Sequence, residues 1–133
     1  MTSDDPPGRV VLRPLATPLP LGFLGLAAGT LLLAGIQLEW VEQAEGHRVA
    51  LIIMAFVVPL QGLTSILGFL GRDVAVGTGM GILSGTWAAT AVATLDEPPG
   101  DTSDALGLFL LTAGAALLTP PRWRRGRSSS PPR

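Results

Sequence analysis

Two apolar runs dominate the chain, Val49–Leu70 and Val74–Leu95, each 22 residues long and free of charged side chains. Only Gly71-Arg72-Asp73 separates them. At about 1.5 Å per residue, a helix of that length reaches roughly 33 Å, enough to cross a hydrocarbon core. Spans joined by so short a turn run antiparallel and in contact, so the pattern predicts a transmembrane helical hairpin. A third run precedes it, from Pro18 or Pro20 to about Leu38. Proline is tolerated there because the first-turn N–H groups of a helix have no intrahelical partner. Glu39 and Trp40 close this helix, with the indole at headgroup level. A fourth, shorter run covers about Ala105–Thr119, with Ser103 or Asp104 as its cap and Pro120-Pro121 as its stop. Its 15 residues reach only about 22 Å, so it requires local thinning of the bilayer. Pro59 lies inside the second run and predicts a kink, because the carbonyl of Ala55 loses its donor. A cleaved signal peptide is the competing reading of the first run, and three spans remain in that case.

The fold class expected is therefore all-α: a polytopic membrane protein with four transmembrane helices over residues 18–119. Residues 1–17 and 120–133 are polar, rich in proline and low in large apolar side chains, and disorder is expected of both tails. Composition agrees. Hydrophobic residues make up 47% of the chain and charged residues 14%, against about 25% charged in an ordinary soluble domain. The absence of cysteine excludes disulfides and thiolate metal sites. The net charge of −1 conceals a segregation by side. Arg9, Arg13, Arg72 and the five arginines at 122, 124, 125, 127 and 133 fall on one face of a four-span topology, and Arg48 alone on the other. The positive-inside rule then places both termini in the cytoplasm of a multi-pass inner-membrane protein. The basic tail is suited to anionic lipid.

Polar groups inside the spans are few. Gln61 is the most polar side chain of the second run, two residues after Pro59. A buried amide at membrane depth needs partners, in a neighbouring helix or in a ligand. The third run carries a small-residue ridge, Gly77, Gly81, Gly85, Ala89 and Ala93, suited to close helix packing. Beside it run Thr78, Thr86, Thr90 and Thr94, with Ser84 nearby; these hydroxyls either bond back to their own helix or line a wet, uncharged path. Gly25 and Gly29 form a shorter small-residue patch on the first helix. Trp87 sits mid-span, far from either interface belt, as packing or as a constriction. Glu39 at the end of the first helix reads as an interfacial carboxylate, and His47 as a residue of an acidic loop over Val41–Arg48. No nucleophile–base pair, phosphate loop or metal-ligand cluster is visible, so neither an enzyme, a cofactor, a metal nor a nucleic-acid partner is expected.

Thr17-Pro18-Leu19-Pro20-Leu21-Gly22-Phe23 resembles the Asn-Pro-Ala-Pro-Leu-Gly-Leu signature that opens the first helix of the acetate uptake transporter family, also called the acetate/succinate transporter family. Pro18, Pro20, Leu21 and Gly22 match it; Thr17, Leu19 and Phe23 depart. Gln61, Thr78, the Ser84-Gly85 run and Trp87 stand at spacings similar to the family's helix-two glutamine, early helix-three threonine and Ser/Gly-rich run ending in Phe-Trp, with Thr86 in place of the Phe. The resemblance spans about Thr17–Leu118. It implies the first four helices of a six-helix fold, an anion path for small monocarboxylates such as acetate, and a homo-oligomer. Under it, Pro18, Pro20, Leu21 and Gly22 shape a pore mouth, Gln61, Thr78 and Ser84 offer hydrogen bonds to a carboxylate, and Trp87 narrows the path. The alternative is a non-transporting membrane interaction or assembly protein, joined to its partner through the glycine ridge.

Overall fold

The computed structural model describes residues 16–96 and 101–119. The two tails read as disordered lie outside the described residues, apart from Ala16 and Thr17. The described chain is all-helical, with four helices: α1 Leu19–Gln37, α2 Gln43–Leu70, α3 Val74–Asp96 and α4 Asp104–Leu118. Of these, α1 and α2 are long and apolar enough to cross a membrane.

Local chemistry sets each boundary. Pro18 takes the N-cap position of α1, where its carbonyl accepts from the Leu21 and Gly22 N–H groups. At the other end Glu39 adopts a left-handed conformation (φ 58°), which lets the Trp40 and Val41 N–H groups reach back to the Gly35 carbonyl. This supplies donors to a helix end that would otherwise leave its carbonyls bare. The helix α2 starts earlier than the apolar pattern suggests. A 3₁₀ turn over Gln43–Glu45 leads into it, and Arg48 pairs with Glu45 at 2.8 Å, so exposed His47 belongs to the first turns of the helix rather than to a loop. The hairpin turn is closed by Arg72, also left-handed at φ 58°. Its N–H donates to Phe69, that of Asp73 to Gly68, and the Asp73 carboxylate caps α3 by accepting from the Val76 N–H at 3.1 Å. Ser103 caps α4 through the Leu106 N–H.

The disturbance expected at Pro59 takes a particular form. Ile53–Val57 is a π-helical turn, in which the Val58 N–H donates to the Ile53 carbonyl. Such turns relieve a helix that must pass an irregularity.

Packing is centred on the α2–α3 hairpin. Its two helices make the most extensive interface of the fold, α1 lies mainly against the Val58–Leu70 half of α2, and α4 rests on α3. Near the Arg48 end the core is apolar: Val49, Ala50, Ile53, Val57, Trp87 and Ala91, flanked by Leu32, Leu33 and Ile36 of α1. Toward the hairpin turn it becomes polar, with Gln61, Thr64 and Ser65 all buried. The outer surface of every helix presents large apolar side chains, among them Leu24, Leu31, Leu51, Ile66, Val74, Val92 and Leu111.

Candidate functional site

The site forms where α1 meets the hairpin. Three buried glycines of α1, Gly22, Gly25 and Gly29, follow one another at helical spacing and face the hairpin. Gly22 and Gly29 are places of close approach. A Cβ at Gly22 would lie 2.6 Å from Met80 Sδ and 2.9 Å from Thr64 Cγ2; one at Gly29 would lie 2.8 Å from the indole ring of Trp87. At Gly25 the neighbours are Gln61 Cγ and Leu60 Cβ, both at 3.4 Å. Glycine at these positions brings the α1 backbone onto the faces of Gln61 and Trp87.

Gln61 is fully buried, and neither its Nε2 nor its Oε1 has a hydrogen-bond partner. Trp87 is 8% exposed, and its Nε1–H is likewise buried and unpaired. Both side chains lie under the same glycine stripe, one beside Gly25 and the other beside Gly29, one helical turn apart along α1. Leaving a buried donor or acceptor unmatched costs roughly 1–3 kcal/mol, and the great majority of such groups in folded proteins are matched. Here three donor hydrogens and one carbonyl are unmatched at one seam.

Most other buried or half-buried hydroxyls nearby are engaged. Thr64 donates to the Leu60 carbonyl at 2.8 Å. Thr86, Thr90 and Thr94 donate to Leu83, Thr86 and Thr90 of their own helix. A hydroxyl that has given its hydrogen to the backbone can only accept, so this ridge offers an anion nothing. Ser84 and Ser65 reach across the hairpin instead, to the Val58 carbonyl at 2.9 Å and the Gly77 carbonyl at 2.6 Å.

The candidates read from the sequence therefore separate. Gly22, Gln61 and Trp87 come together at the α1 seam. Pro18, Pro20 and Leu21 form the turn that leads into it, with Pro20 exposed and the other two half-buried. Ser84 lies in the other seam, its hydroxyl occupied. Thr78 is exposed, on a face of α3 turned away from Gln61, because it sits one residue from seam-facing Gly77 and a helix turns about 100° per residue. Among the small residues, Gly77 and Gly81 pack against Phe69 and Ser65 of α2. A side chain at Gly85 would meet open space, so the ridge leaves the α2–α3 seam at that point, and Ala89 faces a groove shared with Leu106 and Phe109 of α4. The period-four pattern treats all four alike because it fixes a common direction only over a turn or two before the helix rotates it away.

Thr64, Ser65 and Met80 are site or seam residues that the sequence reading passed over. The signal for Ser65 was present: an antiparallel hairpin about Arg72-Asp73 places residues whose numbers sum to about 145 opposite one another, as in Gly68 with Gly77 and Ser65 with Gly81. No signal marks Met80, an ordinary apolar residue in an apolar run. Among the described residues no cluster of three or more His, Asp or Glu side chains is placed to hold a metal ion.

No protein-family model, no curated protein and no solved structure matches this chain. The likeness to acetate transporters thus rests on the residues quoted above.

Proposed function

We propose that the chain is a polytopic inner-membrane protein in which all four helices span the bilayer, with both termini cytoplasmic. It passes small monocarboxylates such as acetate along the α1 seam, as a homo-oligomer. The observation that carries this reading is the unmatched pair of Gln61 and Trp87, three donor hydrogens gathered beneath a glycine stripe that leads in from Pro18-Leu19-Pro20. A carboxylate group carries acceptors that would satisfy them. Weak and transient contacts suit passage, since a ligand held tightly does not leave.

Several features support the membrane setting. Large apolar side chains occupy the outer surface of the bundle, where a water-soluble protein of this size would carry charge. The helix α3 has no charged residue before Asp96 and is bound antiparallel to α2, so a spanning α2 carries α3 across with it. The helix α4, at about 22 Å, spans only where the bilayer thins or its flanks are drawn in. A reporter fused after Arg133 should be active only in its cytoplasmic form; periplasmic activity there defeats the four-span topology.

The functional test is influx of labelled acetate into vesicles carrying the wild type or Gln61→Leu at equal abundance. Influx above that of protein-free vesicles, lost in the variant, is the expected result. Wild-type influx equal to the protein-free value defeats transport. The assembly reading would then stand, favoured by the open face of α3 at Gly85 and by the exposed Leu108, Leu111 and Leu118 of α4.

A further inference from the structure

The chemistry of the seam bears on the charge of what it accepts. Gln61 offers two donor hydrogens and one acceptor, and Trp87 one donor. An ionised carboxylate can use the donors but leaves the Gln61 carbonyl facing an oxygen with no hydrogen to give. A protonated carboxylic acid uses both sides, its O–H on Gln61 Oε1 and its carbonyl on Gln61 Nε2. A primary carboxamide does the same with its N–H and C=O.

Burial points the same way. No charged or titratable side chain lies on α1, on α2 between Arg48 and Leu70, or on α3 before Asp96. The nearest in sequence are Arg48, thirteen residues before Gln61 and so about 20 Å along the helix, and the Arg72-Asp73 turn at about 16 Å. Glu45 and His47 lie beyond Arg48, and Asp96 beyond Trp87 by more than two helical turns. A bare anion at Gln61 would be desolvated with no cation to offset it, whereas a neutral ligand carries no such cost. Resting on the transport reading for what binding serves, we infer that the α1 seam is a site for uncharged, planar donor–acceptor ligands. These are the protonated form of a short carboxylic acid and, equally, a short primary carboxamide.

The test reads binding rather than flux, because neutral acids also cross lipid unaided. The full chain in detergent micelles, with Trp40→Phe and Trp123→Phe so that Trp87 is the sole indole, is titrated with acetamide at pH 7. It is then titrated with acetate at pH 7 and at a pH of about 3.5, below the ordinary carboxylic-acid range of about 4. The Trp87 indole N–H and the Gln61 side-chain amide are followed by nuclear magnetic resonance. The expected result is a saturable shift of both signals with acetamide at pH 7 and with acetate at the low pH, and at least tenfold weaker binding of acetate at pH 7. Gln61→Leu should abolish the Trp87 shift, and Gln61→Asn, which keeps the amide, should retain part of it. Acetate binding at pH 7 as strong as acetamide, or no shift with acetamide, overturns the inference. The two readings fail separately. Acetate influx without an acetamide shift leaves transport standing and removes this site. An acetamide shift without influx leaves a neutral-ligand site in a protein that does not transport.

Discussion

The two seams of this bundle use the same small residues to opposite ends. Between α2 and α3, glycine brings the backbones together so that hydroxyls can finish the job: Ser65 reaches the Gly77 carbonyl and Ser84 the Val58 carbonyl, and both bonds cross the interface. Between α1 and the hairpin, glycine brings the backbone against side chains whose polar atoms are left unmatched. Among the described residues one hydrogen bond ties α1 to α2, from Gln43 Nε2 to the Ile36 carbonyl at 3.4 Å, and it lies at the far end of the seam from Gln61. Close packing alone therefore does not tell a polar seam that is satisfied from one that is not. What separates them is whether the polar groups brought inside find partners. By that criterion the hairpin is the half of the molecule tied by cross-seam hydrogen bonds, and α1 is held to it mainly by apolar packing.

The strongest challenge to this contrast is Gly68→Ala. A Cβ there would lie 2.7 Å from the Gly77 backbone nitrogen and 3.0 Å from its Cα, and backbone cannot rotate out of the way. The variant should lose about 3 kcal/mol, the upper end of ordinary overpacking, seen as a fall in thermal stability in mild detergent. By comparison Gly25→Ala, whose Cβ would come no closer than 3.4 Å to Gln61 and Leu60, should lose less than half of that. Equal losses would mean that the two seams are equally tightly packed at these positions.

Gln61→Leu sharpens the contrast by its sign. Replacing an unmatched buried amide with an apolar group of similar size should raise stability by about 1–2 kcal/mol and, under the proposed transport, remove acetate influx. A loss of stability instead would show that the amide is matched in the folded protein. Ser84→Ala should act oppositely and more weakly, lowering stability by about 0.6 kcal/mol, the order of one interhelical hydrogen bond, and under the proposed transport should leave influx nearly unchanged. The smallest effect belongs to Gly85→Leu. Its side chain would enter open space, so the stability of a single chain should move by no more than about 0.5 kcal/mol. A larger loss, or an altered oligomer size in detergent, would identify that face of α3 as a contact between chains.

The hairpin was legible because its signals are strong and local: two uncharged runs and a three-residue turn. The start of α1, at Pro18 or Pro20, and the cap of α4, Ser103 or Asp104, were legible to within two residues for the same reason, and the structure selects Pro18 and Ser103. Gln61 and Trp87 stood out as the odd side chains of otherwise ordinary runs. Their convergence under the α1 glycines did not, because it depends on how three helices are rotated against one another. Thr78 and Thr64 show the difficulty. Both are threonines within apolar runs, yet one is exposed and the other wholly buried. Nothing in the period of either helix states which face its neighbour covers.

The π turn has a consequence for how this sequence can change. Val49, Ile53, Val57 and Gln61 are all buried on one line of α2, at intervals of four residues. A regular helix advances about 100° per residue, so three such intervals would carry the line about 120° around the axis. The wide turn at Ile53–Val57 takes up part of that surplus and keeps the phase. Substituting any one of those five residues alters a contact. Deleting one, Ala55 for instance, would let the turn close into ordinary α-helix with the phase beyond it nearly kept, whereas closing the turn with all five residues retained would rotate everything after it by about 100°. The amide of Gln61 would then leave the glycine stripe of α1 although no residue of the site had been touched. In this stretch the number of residues and the winding of the backbone can change only together.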